Sequence, residues 1–204
     1  CSLPTLYNGS CDGLDYFTAG QAAACGLHLP DRSGWNIEAV TEKANRNCVL
    51  IGWARRSCGL LINTAQSHAI RTIHDLKGKR FAVRQAGSGA RALFDMLLEK
   101  EKIAENDITL TTSIARTESD AASAVAAGEA DATIGLEAMA QQYNLAFLPL
   151  IDENYDLLID RYFYFTPAFQ TLLHFTTSKT FKQKAAQMGG YDLSVLGSVR
   201  WLSP

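Results

Sequence analysis

The chain has 204 residues, 47% of them apolar, with 19 basic against 21 acidic side chains and a formal net charge of −2. That length suits one domain or two small lobes. So balanced a charge excludes recruitment of nucleic acid by the surface as a whole. No apolar run reaches membrane-spanning length, and no charged n-region with an apolar h-region opens the chain, so no membrane partner is expected. The five cysteines, Cys1, Cys11, Cys25, Cys48 and Cys58, are odd in number and include no CxxC pair. They suggest neither a disulfide scaffold nor a zinc site. Free thiols in a reducing compartment are the expectation, and with the missing leader they point to the cytoplasm. The chain starts at Cys1 rather than methionine, which reads as a processed or trimmed product.

Residues 3–8 read as a short strand, with Pro4 tolerable only near its start or on an edge. Gly9-Ser10-Cys11-Asp12-Gly13 is a turn. Residues 14–25 follow as a helix with apolar positions at Leu14, Phe17, Ala22 and Cys25, closed by Gly26. Residues 31–36 are a loop and 37–46 a helix. Two apolar runs, 48–54 and 57–62, have the near-continuous hydrophobicity of central strands covered on both faces. His68 and His74 have no carboxylate or cysteine at a ligand-like spacing, so no metal site is read there. The His74-Asp75 pair instead caps a short helix over 75–77.

From residue 80 onward strands and helices alternate. Strands are expected at 80–84, 107–111, 130–135 and 146–150, and helices at 92–102, 118–127 and 136–143. Such alternation on short loops gives a βαβ layer with the sheet covered on both faces. Residues 155–159 read as an extended segment crossing between lobes. Pro167 opens a helix through Phe175, and Thr177 or Ser178 caps another through Met188.

Ligands bind such sheets at the C-terminal ends of the strands, which is where Arg84-Gln85-Ala86-Gly87-Ser88-Gly89-Ala90-Arg91 lies. The glycines permit a sharp turn onto a helix start, where unpaired N–H groups point outward. Ser88 suits the N-cap, or its hydroxyl donates to a ligand. Arg84 and Arg91 bracket the turn with fork-shaped donors. Together they describe an anion seat; an ordinary strand–turn–helix corner with two surface arginines accounts for the same residues. The stretch lacks the Gly-Lys-Ser/Thr end of a P-loop and the spacing of a dinucleotide fingerprint. Ser10, in a Gly-Ser-x-x-Gly turn before a helix, repeats the arrangement in the first half. At the start of the helix over 118–127, Ser119 or Asp120 is the cap, and Ser119 is the better ligand donor because a carboxylate repels an anion. His28 faces either core or cleft, and Tyr155 offers a phenolic hydroxyl. No Ser-His-Asp order or paired-carboxylate pattern is legible, so no catalytic residue is assigned and no enzyme is expected.

Several of these pieces occur together in one order. Gly9-Ser10-x-x-Gly13-Leu14 is followed by Gly20-x-Ala22-x-x-x-Gly26-x-His28-Leu29, Gly59-Leu60 and Arg84-Gln85-x-Gly87-Ser88-Gly89-x-Arg91. Then come Val125-Ala126-x-Gly128-x-Ala130-Asp131-x-x-x-Gly135, Phe147-x-Pro149-Leu150, Glu153-x-Tyr155-Asp156-Leu157 and Gly190-Tyr191-Asp192. This ordered set resembles the periplasmic-binding-protein-like domain of molybdate-responsive bacterial regulators. The resemblance implies a type II α/β fold of two lobes joined by crossing strands, with an oxyanion, molybdate or tungstate, held between them. The lobes would be 1–76 with 160–204, and 77–159. The ligand residues implied are Ser10, Ser88, Gly89, Arg91, Ser119 and Tyr155, with Arg84 and His28 as secondary candidates, and no metal or other cofactor. The role implied is a sensor in transcriptional regulation or molybdenum homeostasis. Its DNA-binding domain would lie upstream or in a partner, and this segment itself would not touch nucleic acid. The alternatives are a protein-interaction or homodimerisation module with a decayed ligand site, or a solute-binding component of a transport system. Two departures stand out. The family's first strand and helix have no counterpart here, so the first lobe reads as incomplete at its N-terminus, and Asp120 stands where the family pattern has a histidine.

Overall fold

The computed structural model describes residues 4–32, 34–44 and 47–204. In chain order it contains α1 (Ser10–Thr18), β1 (Ala24–Leu27), β2 (Pro30–Asp31), β3 (Gly34–Trp35), α2 (Ile37–Lys43) and β4 (Cys48–Ile62). These are followed by β5 (Arg80–Phe81), α3 (Gly89–Lys100), β6 (Thr109–Leu110), α4 (Glu118–Ala126), β7 (Ala132–Leu136) and α5 (Glu137–Gln142). The chain ends with β8 (Ala146–Asp160), α6 (Arg161–Tyr164), α7 (Pro167–Thr176), α8 (Lys179–Met188), β9 (Tyr191–Asp192) and β10 (Val199–Leu202).

Two compact units emerge. The first holds Cys1–Arg55, Glu153–Gln187 and Tyr191–Pro204, and the second Arg56–Asp152 and Met188–Gly190. Residues 56–76, 153–159 and 188–190 thus fall in the opposite unit from the one the sequence suggests. β4 and β8 each contribute residues to both units. This mixed sheet with flanking helices is the type II two-lobe architecture expected.

In the first unit β1 runs antiparallel to β8, pairing Ala24 with Ile159 and Leu27 with Asp156. β10 runs antiparallel to β4 with an irregularity between Val199 and Trp201. The two-residue period of a strand sorts neighbouring apolar residues onto opposite faces. Cys48, Leu50 and Leu158 join Leu14 and Phe17 of α1 and Val40 of α2 in one cluster. Val49, Ile51 and Ile159 join Phe169 of α7 in another, with Leu172 and Leu173 packed against it. That two-sided burial explains why the sequence of these strands shows no polar face.

In the second unit β5 runs parallel to β6 and β7, while residues 58–62 of β4 run antiparallel to β7. α3 stacks Phe94 on Phe81 of β5, with ring centroids 4.2 Å apart. Alanines 122 and 140 on α4 and α5 close over Leu61. Gly59 lies where a Cβ would strike the backbone carbonyl of Leu148, so β4 and β8 approach more closely there than a larger residue permits.

Some local expectations are revised. The described part of residues 3–8 has no regular structure, and Leu6 and Tyr7 stand in solvent; Leu3 lies outside the described residues. The first helix begins at Ser10 and ends at Thr18, because Gly20, at φ +73°, breaks it, and Cys25 and Leu27 are the inward residues of a strand. The runs at 48–54 and 57–62 are one strand of 15 residues, since strand alternation turns Arg55 outward and Arg56 inward without a break. The loop at 31–36 contains the β2–β3 hairpin. α2 ends at Lys43, and the expected helical residues 45 and 46 lie outside the described residues.

Candidate functional site

The expected anion turn in the second unit forms as a helix start at the C-terminal end of a parallel strand. Gly87 turns the chain at φ +80°, a backbone that glycine adopts without strain. Ser88 then caps α3: its Oγ accepts from the Arg91 N–H at 3.1 Å and donates to the Gln85 carbonyl at 2.9 Å. With both bonds made, and with Ser88 only 2% exposed, this hydroxyl has no proton left for a ligand. The backbone N–H groups of the first turn, beginning at Gly89, are the donors that remain.

The two arginines behave differently. The Arg91 guanidinium is engaged by Asp95 at 2.9 Å and by Glu105 at 2.8 Å. Arg84 forms no ion pair among the described residues. Its Nε donates to Gln85 Oε1 at 3.3 Å and an NH2 hydrogen to the Arg116 carbonyl at 3.2 Å. Burial lowers the Arg84 pKa from its ordinary value, and the charges of Glu118 and Asp120 partly offset this. It remains a cation at any ordinary pH.

A second helix start lies beside the first. Arg84 bridges Ala115 in parallel fashion, and the Gln85 N–H donates to the Ala115 carbonyl at 3.2 Å. Two residues later Thr117 caps α4, accepting from the Asp120 N–H at 3.0 Å. The Asp120 carboxylate reaches back to the N–H groups of Thr117 at 2.8 Å and Arg116 at 3.2 Å, closing a capping box. Those bonds, with Thr117 first, lower the pKa of Asp120. The cap is therefore Thr117, and the acid is the reciprocal partner in the box. Ser119 sits exposed in the first turn of α4. Along the flank of α4 a groove of about 420 Å³ is lined by Thr111, Ile114, Arg116, Asp120 and Ser123 among others.

In the first unit Ser10 is the first residue of α1, and the N-cap is Gly9. Ser10 is 3% exposed, and its Oγ accepts from the His28 N–H at 3.3 Å. His28 Nδ1 lies 3.3 Å from Oε2 of Glu153, which is 2% exposed. The contact places Nδ1, rather than Nε2, of the imidazole against the carboxyl group. The Tyr155 ring is 6.2 Å from that of His28. Its hydroxyl lies over Gly26, where a Cβ would collide with it. The structure thus brings together Ser10, His28 and Tyr155 in this unit, and Ser88, Gly89, Arg84 and Ser119 along one edge of the other.

Two residues here were missed by sequence reasoning. Glu153 orients His28 from 125 residues away, and nothing local signals that. Asn36, fully buried, ties the set together: its Oδ1 accepts from the Leu29 N–H at 2.7 Å. Its Nδ2 donates to Leu27 O at 3.3 Å, Asn154 O at 3.2 Å and Asp156 Oδ2 at 2.9 Å. It does so from a left-handed backbone, φ +68°, which asparagine tolerates better than most residues. An asparagine immediately before a helix was the available signal.

A model of the PBP superfamily domain matches residues 1–177. The uncharacterized protein YvgK of Bacillus subtilis (strain 168) is 30% identical over 199 residues, 95% of this chain and 64% of YvgK. The chain therefore spans slightly less than two thirds of that relative. Among solved structures, the alkanesulfonate-binding protein SsuA from Xanthomonas axonopodis pv. citri, bound to MOPS, matches with a TM-score of 0.57 at 20% identity, over 96% of this chain and 74% of its own. The periplasmic aliphatic sulphonate binding protein SsuA from Escherichia coli matches with a TM-score of 0.56 at 18% identity, over 88% and 64%. The cytoplasmic placement expected from the sequence is overturned by the likeness to the periplasmic aliphatic sulphonate binding protein of Escherichia coli. The fold is that of these small-molecule-binding proteins, and the chain belongs to the PBP superfamily.

Proposed function

We propose that this chain is the solute-binding domain of a transport system and that its ligand is a small anion. The observation that carries the reading is Arg84, a partly buried guanidinium that forms no ion pair among the described residues. It stands at the strand end from which α3 departs and bridges the strand end that leads to α4. Helix starts at neighbouring parallel-strand ends present free N–H groups and positive partial charge. A guanidinium between them supplies the formal charge and the fork that tetrahedral or planar oxyanions accept. In this reading Arg84 is the primary cationic donor, Gly89 contributes its backbone and Ser119 its hydroxyl. Ser88 and Arg91 hold the turn in shape. Ser10, His28 and Tyr155 are a second candidate ligand cluster, within the first unit. That both SsuA proteins bind sulfonates supports an anionic ligand class. Molybdate and tungstate enter as candidate ligands through the sequence resemblance alone.

The test is calorimetric titration and thermal melting with molybdate, tungstate, sulfate, phosphate and a short alkanesulfonate at matched ionic strength. A ligand at about a hundred times its Kd adds roughly 2.7 kcal/mol, a visible shift in melting temperature. Arg84→Gln is expected to remove that shift. Arg91→Gln is expected to lower the melting temperature of the free protein and to leave the ligand-induced increment in place. Absence of any shift across the panel would sink the anion reading. Loss of the increment in Arg91→Gln but not in Arg84→Gln would sink the assignment of Arg84.

A further inference from the structure

Between Asp160 and Asp192 the chain contains no acidic residue, yet it carries Arg161, Lys179, Lys182 and Lys184. This stretch builds α6, α7 and α8 of the first unit. The acids at its borders are engaged: Asp160 accepts from the N–H groups of Tyr162 and Phe163, and Asp192 from Ser194. All four cations are exposed, and none has an ion-pair partner among the described residues. In a chain whose net charge is negative, these helices carry uncompensated positive charge.

These helices also expose large aromatic side chains. Tyr162 is 82% exposed, Phe165 74% and Phe175 50%. They are braced from behind. Phe165 meets Tyr164 edge-on at 5.1 Å, and Phe175 meets Phe181 edge-on at 5.8 Å. Phe181 in turn meets Trp53 of β4. Rings held out in this way are not recovered by the core of their own unit.

We propose that α6–α8 form a peripheral docking face for an anionic lipid bilayer surface. Charge complementarity selects the occupant. Three of the four cations are lysines, compact hydrated charges without the fork that reads a specific carboxylate geometry. Lysine is depleted in protein–protein interfaces, whereas an anionic bilayer asks only that positive charge come within a Debye length. Exposed aromatic rings beside lysines are the side chains that settle at headgroup depth. No helix of the described residues is long and apolar enough to cross a membrane, so the contact is with the surface. The proposal stands apart from the ligand assignment above, since none of these residues belongs to it.

Co-sedimentation with vesicles tests it directly. The full chain is expected to bind vesicles of phosphatidylcholine mixed with phosphatidylglycerol, to ignore phosphatidylcholine alone, and to release as salt rises. The variant Lys179→Ala/Lys182→Ala/Lys184→Ala is expected to lose about tenfold or more in partition. Arg71→Ala/Lys100→Ala/Lys102→Ala makes the same charge change on exposed residues of the other unit and is expected to keep binding. Tyr162→Ser/Phe165→Ser is expected to weaken binding without altering its salt dependence. Melting curves verify that each variant is folded. The proposal is overturned by a wild-type chain that does not sediment with anionic vesicles, or by a control variant that loses as much as the helix variant. Binding to polyglutamate but not to vesicles also overturns it and identifies an acidic protein as the partner.

Discussion

The two Gly-Ser turns of this chain, one in each unit, contrast in what the serine does. Ser88 stands one residue before its helix, and its hydroxyl is committed to Arg91 N–H and Gln85 O. Ser10 stands one residue inside its helix, behind Gly9, and its hydroxyl reaches out to the His28 N–H instead. A shift of one position turns the same dipeptide from a device that closes a helix into one that anchors a distant segment. The first unit therefore depends on long-range polar ties, of which Asn36 is the hub, while the second depends on local caps at Ser88 and Thr117.

That contrast ranks the substitutions. Asn36→Ala is expected to cost the most, about 3 kcal/mol or more in urea denaturation. It strands the buried Leu29 N–H and Asp156 carboxylate and puts alanine on a left-handed backbone. A loss below about 1 kcal/mol would show that the ties are not what holds the first unit. Gly26→Ala drives a methyl group into the Tyr155 hydroxyl and is expected to cost about 1–3 kcal/mol. The Tyr155→Ala background should abolish most of that loss. Ser88→Ala removes a cap and is expected to cost about 1–2 kcal/mol, whereas Ser10→Ala, losing a long bond at 3.3 Å, should cost less than about 1 kcal/mol. The reverse order would break the comparison.

The smallest expected effect is a pH dependence. Asp156 is fully buried, its Oδ1 lacks a hydrogen-bond partner, and burial raises its pKa above the ordinary 3.8 against the pull of Asn36 and Arg200. A raised carboxyl binds its proton more tightly in the folded chain. Its contribution is therefore full below 3.8 and declines as pH rises through the higher folded value. Asp131 in the second unit does the opposite. Its pairing with Arg80, first through the side-chain hydrogen bond, lowers its pKa. That contribution is present above 3.8 and is lost as pH falls through the lowered value. Denaturation midpoints across the acid range should decline less with rising pH in Asp156→Asn than in the parent; an unchanged slope would count against the buried-acid account.

Local patterns were the legible part of the sequence. The Gly-Ser-Gly turn, the strand before it and the helix after it are specified within a dozen residues, although the strand is shorter than 80–84 and α3 begins at Gly89, three residues before the expected helix. The small residues of α4 and the Pro167 start of α7 are equally local signals. What escaped depends on partners far along the chain. Ala22 and Cys25 continue a helical spacing from Leu14 and Phe17, yet Ala22 lies outside regular structure and pairing with β8 puts Cys25 in a strand. Arg55-Arg56 reads as a break between two apolar runs, yet strand pairing carries β4 through it. At the site, Ser88 was legible as an N-cap and Arg84 with Arg91 as brackets of the turn, but the engagement of Ser88 and Arg91 with Gln85, Asp95 and Glu105 was not. Of the two arginines that bracket the turn, Arg84 is the one without an ion pair among the described residues.

The order of the segments has a consequence for biosynthesis. The second unit is built almost entirely from one uninterrupted stretch, Arg56–Asp152, while the first draws on pieces from both ends of the chain. A ribosome releases the interior stretch whole long before the closing segments emerge. The opening helix α1 and strand β1 must then wait for β8, α7 and β10 to be made before their apolar faces are covered. During that interval Leu14, Phe17 and Leu27 are the surfaces on which a holding chaperone would act.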